Sequence, residues 1–133
     1  MPYELTFTKH IAVTEREQYI NECCVGGDVV ADAILPVLRD TYGELTADQE
    51  DWGWFIWFSR SGVKLAIDIY CDDPDTGMFR IHLTSRVRSM LFNTKVVDTP
   101  ELEQLCRLVV SALAAWTGEQ PAVERLDAKY MSI

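Results

Sequence analysis

Apolar and polar residues alternate from the start of the chain: Tyr3, Leu5 and Phe7, then Ile11 and Val13, with Glu4, Thr6, Thr8 and His10 between them. A period of two is that of a half-buried strand, so Tyr3 to Val13 reads as a strand with one wet face. Thr14-Glu15-Arg16-Glu17 has the form of a capping box and opens a short helix toward Cys24, which Gly26-Gly27 ends. Asp28 caps a second helix with Val30, Ile34, Val37 and Leu38 on one side. Pro36 is expected to kink or end it, and Gly43 closes the segment.

Beyond a polar stretch, Trp52-Gly53-Trp54-Phe55-Ile56-Trp57-Phe58 has aromatic or β-branched residues at both parities, the composition of a strand covered on both faces or using one to bind. Counted by parity, Trp52 and Trp54 share one face, and Phe55 and Trp57 share the other. Ser59-Arg60-Ser61-Gly62 is a turn. The next strand sets Val63, Leu65, Ile67 and Ile69 against Lys64, Asp68 and Tyr70. After a second turn, Asp72-Asp73-Pro74-Asp75-Thr76-Gly77, Phe79, Ile81 and Leu83 alternate with Arg80, His82 and Thr84. Residues 89–97 carry no clear period, and a short strand over Lys95 to Val97 fits them best. Thr99-Pro100-Glu101 is a helix start and Gly118 a stop, with a stripe of Leu102, Leu105, Val109, Leu113 and Trp116. The polar tail after Pro121 frays or forms a last turn around Leu126 and Tyr130. The expectation is a single α+β domain over residues 1–133, in the order β-α-α-β-β-β-α, with an antiparallel meander sheet of three to five strands on two or three helices.

Composition agrees with a globular domain: of 133 residues, 48% are hydrophobic and 25% charged. The longest nearly apolar run, Leu108 to Trp116, is far short of the roughly 20 residues of a membrane-spanning helix. Met1-Pro2-Tyr3-Glu4-Leu5 has no basic region leading into an apolar run, so no secretory signal and a cytoplasmic location are expected. Cys23, Cys24, Cys71 and Cys106 are too irregularly placed for a disulfide framework and contain no Cys-x-x-Cys pair. They read as reduced thiols, with Cys106 on the apolar stripe of the last helix.

The charge of −9 is uneven: residues 1–51 hold 3 basic and 11 acidic side chains, residues 52–97 hold 6 and 4, and residues 98–133 hold 3 and 6. An acidic chain lacks the basic footprint that nucleic acid and anionic membranes require, and it suits a basic protein partner. Acidic and aromatic residues meet at Glu44, Asp48, Glu50, Asp51, Trp52 and Trp54, with Trp57 nearby. Long-range attraction beside large rigid anchors is the residue mix of a protein interface.

Three other clusters compete. Asp72, Asp73, Asp75 and Gly77 look like half a calcium loop, yet the twelfth residue from Asp73 is Thr84 where an EF-hand needs glutamate, so no metal is expected and the segment reads as a hairpin turn. Arg80, His82, Arg86 and Arg88 share a strand face with Asp68 opposite. Such a patch holds an anion or orients a base, and its plainest reading is a solvated face with cross-strand ion pairs. His10 lies elsewhere, and no nucleophile elbow or catalytic triad pattern is present. The leading expectation is therefore a non-catalytic protein-binding module without cofactor, of the kind that neutralises a basic toxin or nuclease or escorts a client. The alternatives are a small anion-binding or catalytic domain on the Arg/His face, and a structural protein that forms a homodimer.

Overall fold

The computed structural model describes residues 1–88 and 94–133. The central meander is as the alternation requires: β3 (Gly53–Arg60), β4 (Val63–Asp73) and β5 (Met78–Arg88) pair antiparallel in succession. On β4 every second residue from Val63 to Cys71 is buried. β1 (Tyr3–Thr8) pairs with the other edge of β5, and β6 (Thr94–Val96) continues along that edge where β1 stops. Two short outer strands complete the sheet: β2 (Asp48–Glu50) beside β3, and β7 (Ala122–Arg125) beside β1. The result is an α+β fold with a 7-stranded antiparallel sheet in the order β2-β3-β4-β5-β1-β7, β6 lying off that path.

Two helices cover one face. α1 (Gly27–Tyr42) lies over β3 and β4, and α2 (Pro100–Thr117) lies over β5 and β1. Between them and the sheet sits a single core that includes Leu5, Ile34, Leu38, Ile56, Ile67, Ile81, Leu83, Leu105 and Leu113. The start of α2 follows the sequence signal closely: the Thr99 hydroxyl accepts from the Leu102 N–H at 3.1 Å, Pro100 opens the first turn, and Gly118 ends the helix at φ 81. No helix of the described residues is long and apolar enough to cross a membrane.

Four expectations change. The capping box at Thr14 opens no regular helix. Only two single 3-10 turns form, Arg16–Gln18 and Glu22–Cys24, because this segment offers Tyr19 and Cys24 for burial and no continuous apolar stripe. Pro36 does not end α1, which runs on to Tyr42. The proline is exposed, while Ile34, Leu35 and Leu38 around it are buried and offset the roughly 3 kcal/mol a helix-interior proline costs. The first strand stops at Thr8, and His10 is exposed in the loop beyond it. The tail contributes β7 before making the expected turn, in which the Asp127 carboxylate accepts from the Lys129 and Met131 N–H groups. The short strand expected at Lys95 to Val97 is β6, and the rest of that unassigned stretch, residues 89–93, lies outside the described residues.

Candidate functional site

Among the described residues no helix packs on the second face of the sheet, and its side chains can be read off the strand register in rows. One row runs Asp48, Phe55, Asp68, His82, Glu4 across β2, β3, β4, β5 and β1. The next is Trp57, Ala66, Thr84, and the one after it Ser59, Lys64, Arg86. On the other side of the first row lie Tyr70, Arg80 and Thr6. Asp68 and His82 are thus directly opposite, as their parity implied.

Four aromatic rings gather at one end of this face. Trp52 lies 5.4 Å from Tyr70, 6.1 Å from Phe55 and 6.5 Å from Trp57, and Phe55 is 4.3 Å from Trp57, measured between ring centroids. Trp57 is 57% exposed, although its indole N–H donates to Asp68 Oδ1 at 2.8 Å. Exposed acids edge the patch: Asp48 sits beside Phe55 in register, Glu50 is paired with Gly53 where the strand enters the patch, and Asp51 lies in the turn with Trp52.

The structure separates Trp52 from Trp54, which parity had put on one face. Trp52 occupies the two-residue turn between Glu50 and Gly53, where strand alternation no longer holds, and its ring falls onto the open face. Trp54 points to the helix side. Its indole N–H donates to the Cys24 carbonyl at 2.8 Å, and its ring lies so close to Gly27 that a Cβ there would collide with it. Gly53 is required for a similar reason, since a Cβ would meet the Ile69 carbonyl. Trp54 is therefore committed to holding the 3-10 segment against the sheet, and Trp57 takes its place on the open face. Glu44 stands apart in the loop before β2, exposed.

The Arg/His part of the face is less solvated than its polarity suggests. His82 is only 5% exposed, because Tyr130 from the C-terminal turn lies 5.3 Å from its ring and Tyr70 5.2 Å away. Its Nε2 is 3.1 Å from Glu4 Oε1, a bond in which the imidazole donates, and Nδ1 is buried with no partner among the described residues. Arg80 stacks 4.4 Å over Tyr70 and donates to Asp72 from Nε at 3.2 Å, so its charge is already neutralised. Among the described residues Asp68 accepts a hydrogen bond from Trp57, and His82 is hydrogen-bonded to Glu4 and not to Asp68. Arg86 lies at the edge of a cavity, and Arg88 is exposed at the end of β5. Burial raises the Asp68 carboxyl above the usual carboxylate range, and burial, helped by Asp68, pushes the Tyr70 phenol up to about 12.

The acidic hairpin between β4 and β5 is accounted for by its own turn. Asp73 Oδ1 accepts from the Asp75 N–H at 3.0 Å, Asp75 pairs with Arg16 at 3.0 Å, and Asp72 is taken by Arg80. Among the described residues no three His, Cys, Asp or Glu side chains are grouped to hold a metal ion. The four cysteines are free thiols. Cys24, Cys71 and Cys106 are buried, and desolvation raises each thiol, Cys71 to about 11, which disfavours the reactive thiolate.

No protein-family model matches the chain, and neither a curated protein nor a solved structure matches it. What the fold and face define is an α+β domain with one covered and one open side of its sheet, and any functional reading rests on the chemistry of that open side.

Proposed function

We propose that the protein is a non-catalytic binding module that takes a basic protein segment on the open face of its sheet. The observation that carries this reading is the contiguous patch of Trp52, Phe55, Trp57 and Tyr70, which no helix of the described residues covers and which Asp48, Glu50 and Asp51 border. Tryptophan and tyrosine bury large area at small entropic cost and dominate interface energies, while rim carboxylates speed the encounter with a cationic surface. Neutralising a basic toxin or nuclease, or escorting a basic client, are the activities such a face serves.

The test is capture from native lysate with the wild-type protein, Trp57→Ala, and the combined change Asp48→Asn, Glu50→Gln, Asp51→Asn, followed by binding kinetics on the captured protein. The reading expects a basic protein whose dissociation from Trp57→Ala is faster by about 2 kcal/mol of affinity or more. The triple charge variant should bind it more slowly and with weaker salt dependence. A captured set identical for all three proteins, or unchanged kinetics in both variants, overturns the reading.

A further inference from the structure

Beside the aromatic patch the open face holds a cavity of about 500 Å³, within the roughly 300–1,000 Å³ of small-molecule sites. Its floor follows from the register. In the row Trp57, Ala66, Thr84 the two inner residues are small, so a notch opens between their larger neighbours. Trp57 forms one wall and Tyr130 another. Tyr130 is held there at φ 63, a conformation unfavourable for a tyrosine, by its N–H bond to the Asp127 carbonyl at 2.9 Å and by its ring contact with His82.

At the mouth, Lys64 and Arg86 stand directly opposite each other, and both line the cavity. Like charges facing across a sheet repel, and a protein with 21 carboxylates has ample means to neutralise them. Yet neither cation makes an ion pair with a carboxylate among the described residues, whereas Arg16, Arg80 and Arg125 all do. Two cations without a direct ion pair, Arg86 acting on Asp68 only through space, stand beside a notch walled by aromatic rings and are complementary to an anion carried on a flat apolar body.

We propose that this cavity binds a small aromatic carboxylate, with the carboxylate held by Lys64 and Arg86 and the ring lying over Ala66 between Trp57 and Tyr130. Carboxylate is favoured over phosphate because the site lies mid-strand, where the backbone N–H groups that usually cradle phosphate are engaged in the sheet ladder. Asp68 lies at the inner end and serves the site by accepting the Trp57 indole hydrogen bond, which sets the plane of that wall. The site shares the Trp57 wall with the docking patch and differs from it in using the cationic end of the face.

Phenylacetate titrated into ¹⁵N-labelled protein tests this, read by the indole N–H resonances. The Trp57 signal should shift saturably with a dissociation constant of about 1 mM or tighter, leaving Trp54 unmoved. Neutral phenylacetamide and ringless acetate should each bind at least about tenfold more weakly, as should phenylacetate to Lys64→Gln or Arg86→Gln. Ala66→Leu, which fills the notch on an open face, should abolish binding in a folded protein. The combined Asp48→Asn, Glu50→Gln, Asp51→Asn variant should bind phenylacetate normally, which separates this site from the docking patch. The absence of a saturable shift, phenylacetamide binding as tightly as phenylacetate, or binding unchanged by both Arg86→Gln and Ala66→Leu would overturn the proposal.

Discussion

The two sides of the sheet are made by the same strands and differ in what covers them. Beneath α1 and α2, Ile56, Ile67, Ile69, Ile81 and Leu83 are all fully buried in one continuous core. On the open side the intervening residues of those strands include Trp57, Asp68, Tyr70, His82 and Arg86; Trp57 bonds Asp68, Tyr70 lies against His82, and Tyr130 of the C-terminal turn is the cover over His82. The covered side is held by apolar area removed from water, the open side by a mosaic of ring contacts and hydrogen bonds whose tops remain wet. Stability should therefore concentrate on one side and recognition on the other.

The largest effect should come from the covered side. Ile67→Ala removes a fully buried side chain between helices and sheet and should cost about 3–4 kcal/mol in urea unfolding, whereas Trp57→Ala should cost about 1 kcal/mol or less. Equal losses would mean that the aromatic patch is core, and the contrast between the faces would fail. Gly27→Ala sharpens the same contrast from the helix side. The new Cβ must displace the Trp54 indole, so a loss of about 2 kcal/mol is expected, with a weaker Trp54-to-Cys24 hydrogen bond visible as faster exchange of that indole proton. A neutral Gly27→Ala would show that Trp54 is not wedged.

Within the open side, His82 and Arg86 should separate. His82→Ala loses the bond to Glu4 and two ring neighbours and should cost about 1–2 kcal/mol, while Arg86→Ala should stay within about 0.5 kcal/mol. The smallest effect concerns Asp68. Its carboxyl is raised by burial above the usual carboxylate range, so the folded protein keeps that proton to higher pH than the unfolded chain does. Stability is then lost as pH rises from the unfolded value through the raised folded one, and the cost is fully present above it. Asp68→Asn preserves an acceptor for Trp57 and removes this titration. Its stability relative to wild type should rise with pH across the acid range and then level off. A difference that stays flat with pH would show that Asp68 is solvated in the folded state.

Much of the covered side was legible in the chain. The period-two runs at Val63–Ile69 and Phe79–Leu83, and the cap, proline and stop around α2, each depend on neighbours a few residues away. The outer strands were hidden for the same reason: β2 is Asp-Gln-Glu and much of β7 is exposed, so neither has the apolar alternation that marks a strand with a buried face. The open-face site was half legible. Asp68 opposite His82 followed from parity, and Trp57 carried the parity of Phe55, but the two-residue turn at Asp51-Trp52 broke the count that tied Trp52 to Trp54. Nothing local to His82 announces its burial, since Tyr130 reaches it from the far end of the chain.

Local periodicity and cap chemistry in the sequence determined the class of fold, the central hairpins, the long C-terminal helix and the side chains of the core, because each follows from contacts within a turn of helix or along one strand. Only the tertiary structure decided which tryptophans meet, that His82 is enclosed, and that Lys64 and Arg86 flank a notch over Ala66 and Thr84. Those outcomes depend on strand register and on where the tail returns, and pairings between distant segments leave no local trace in the order of residues.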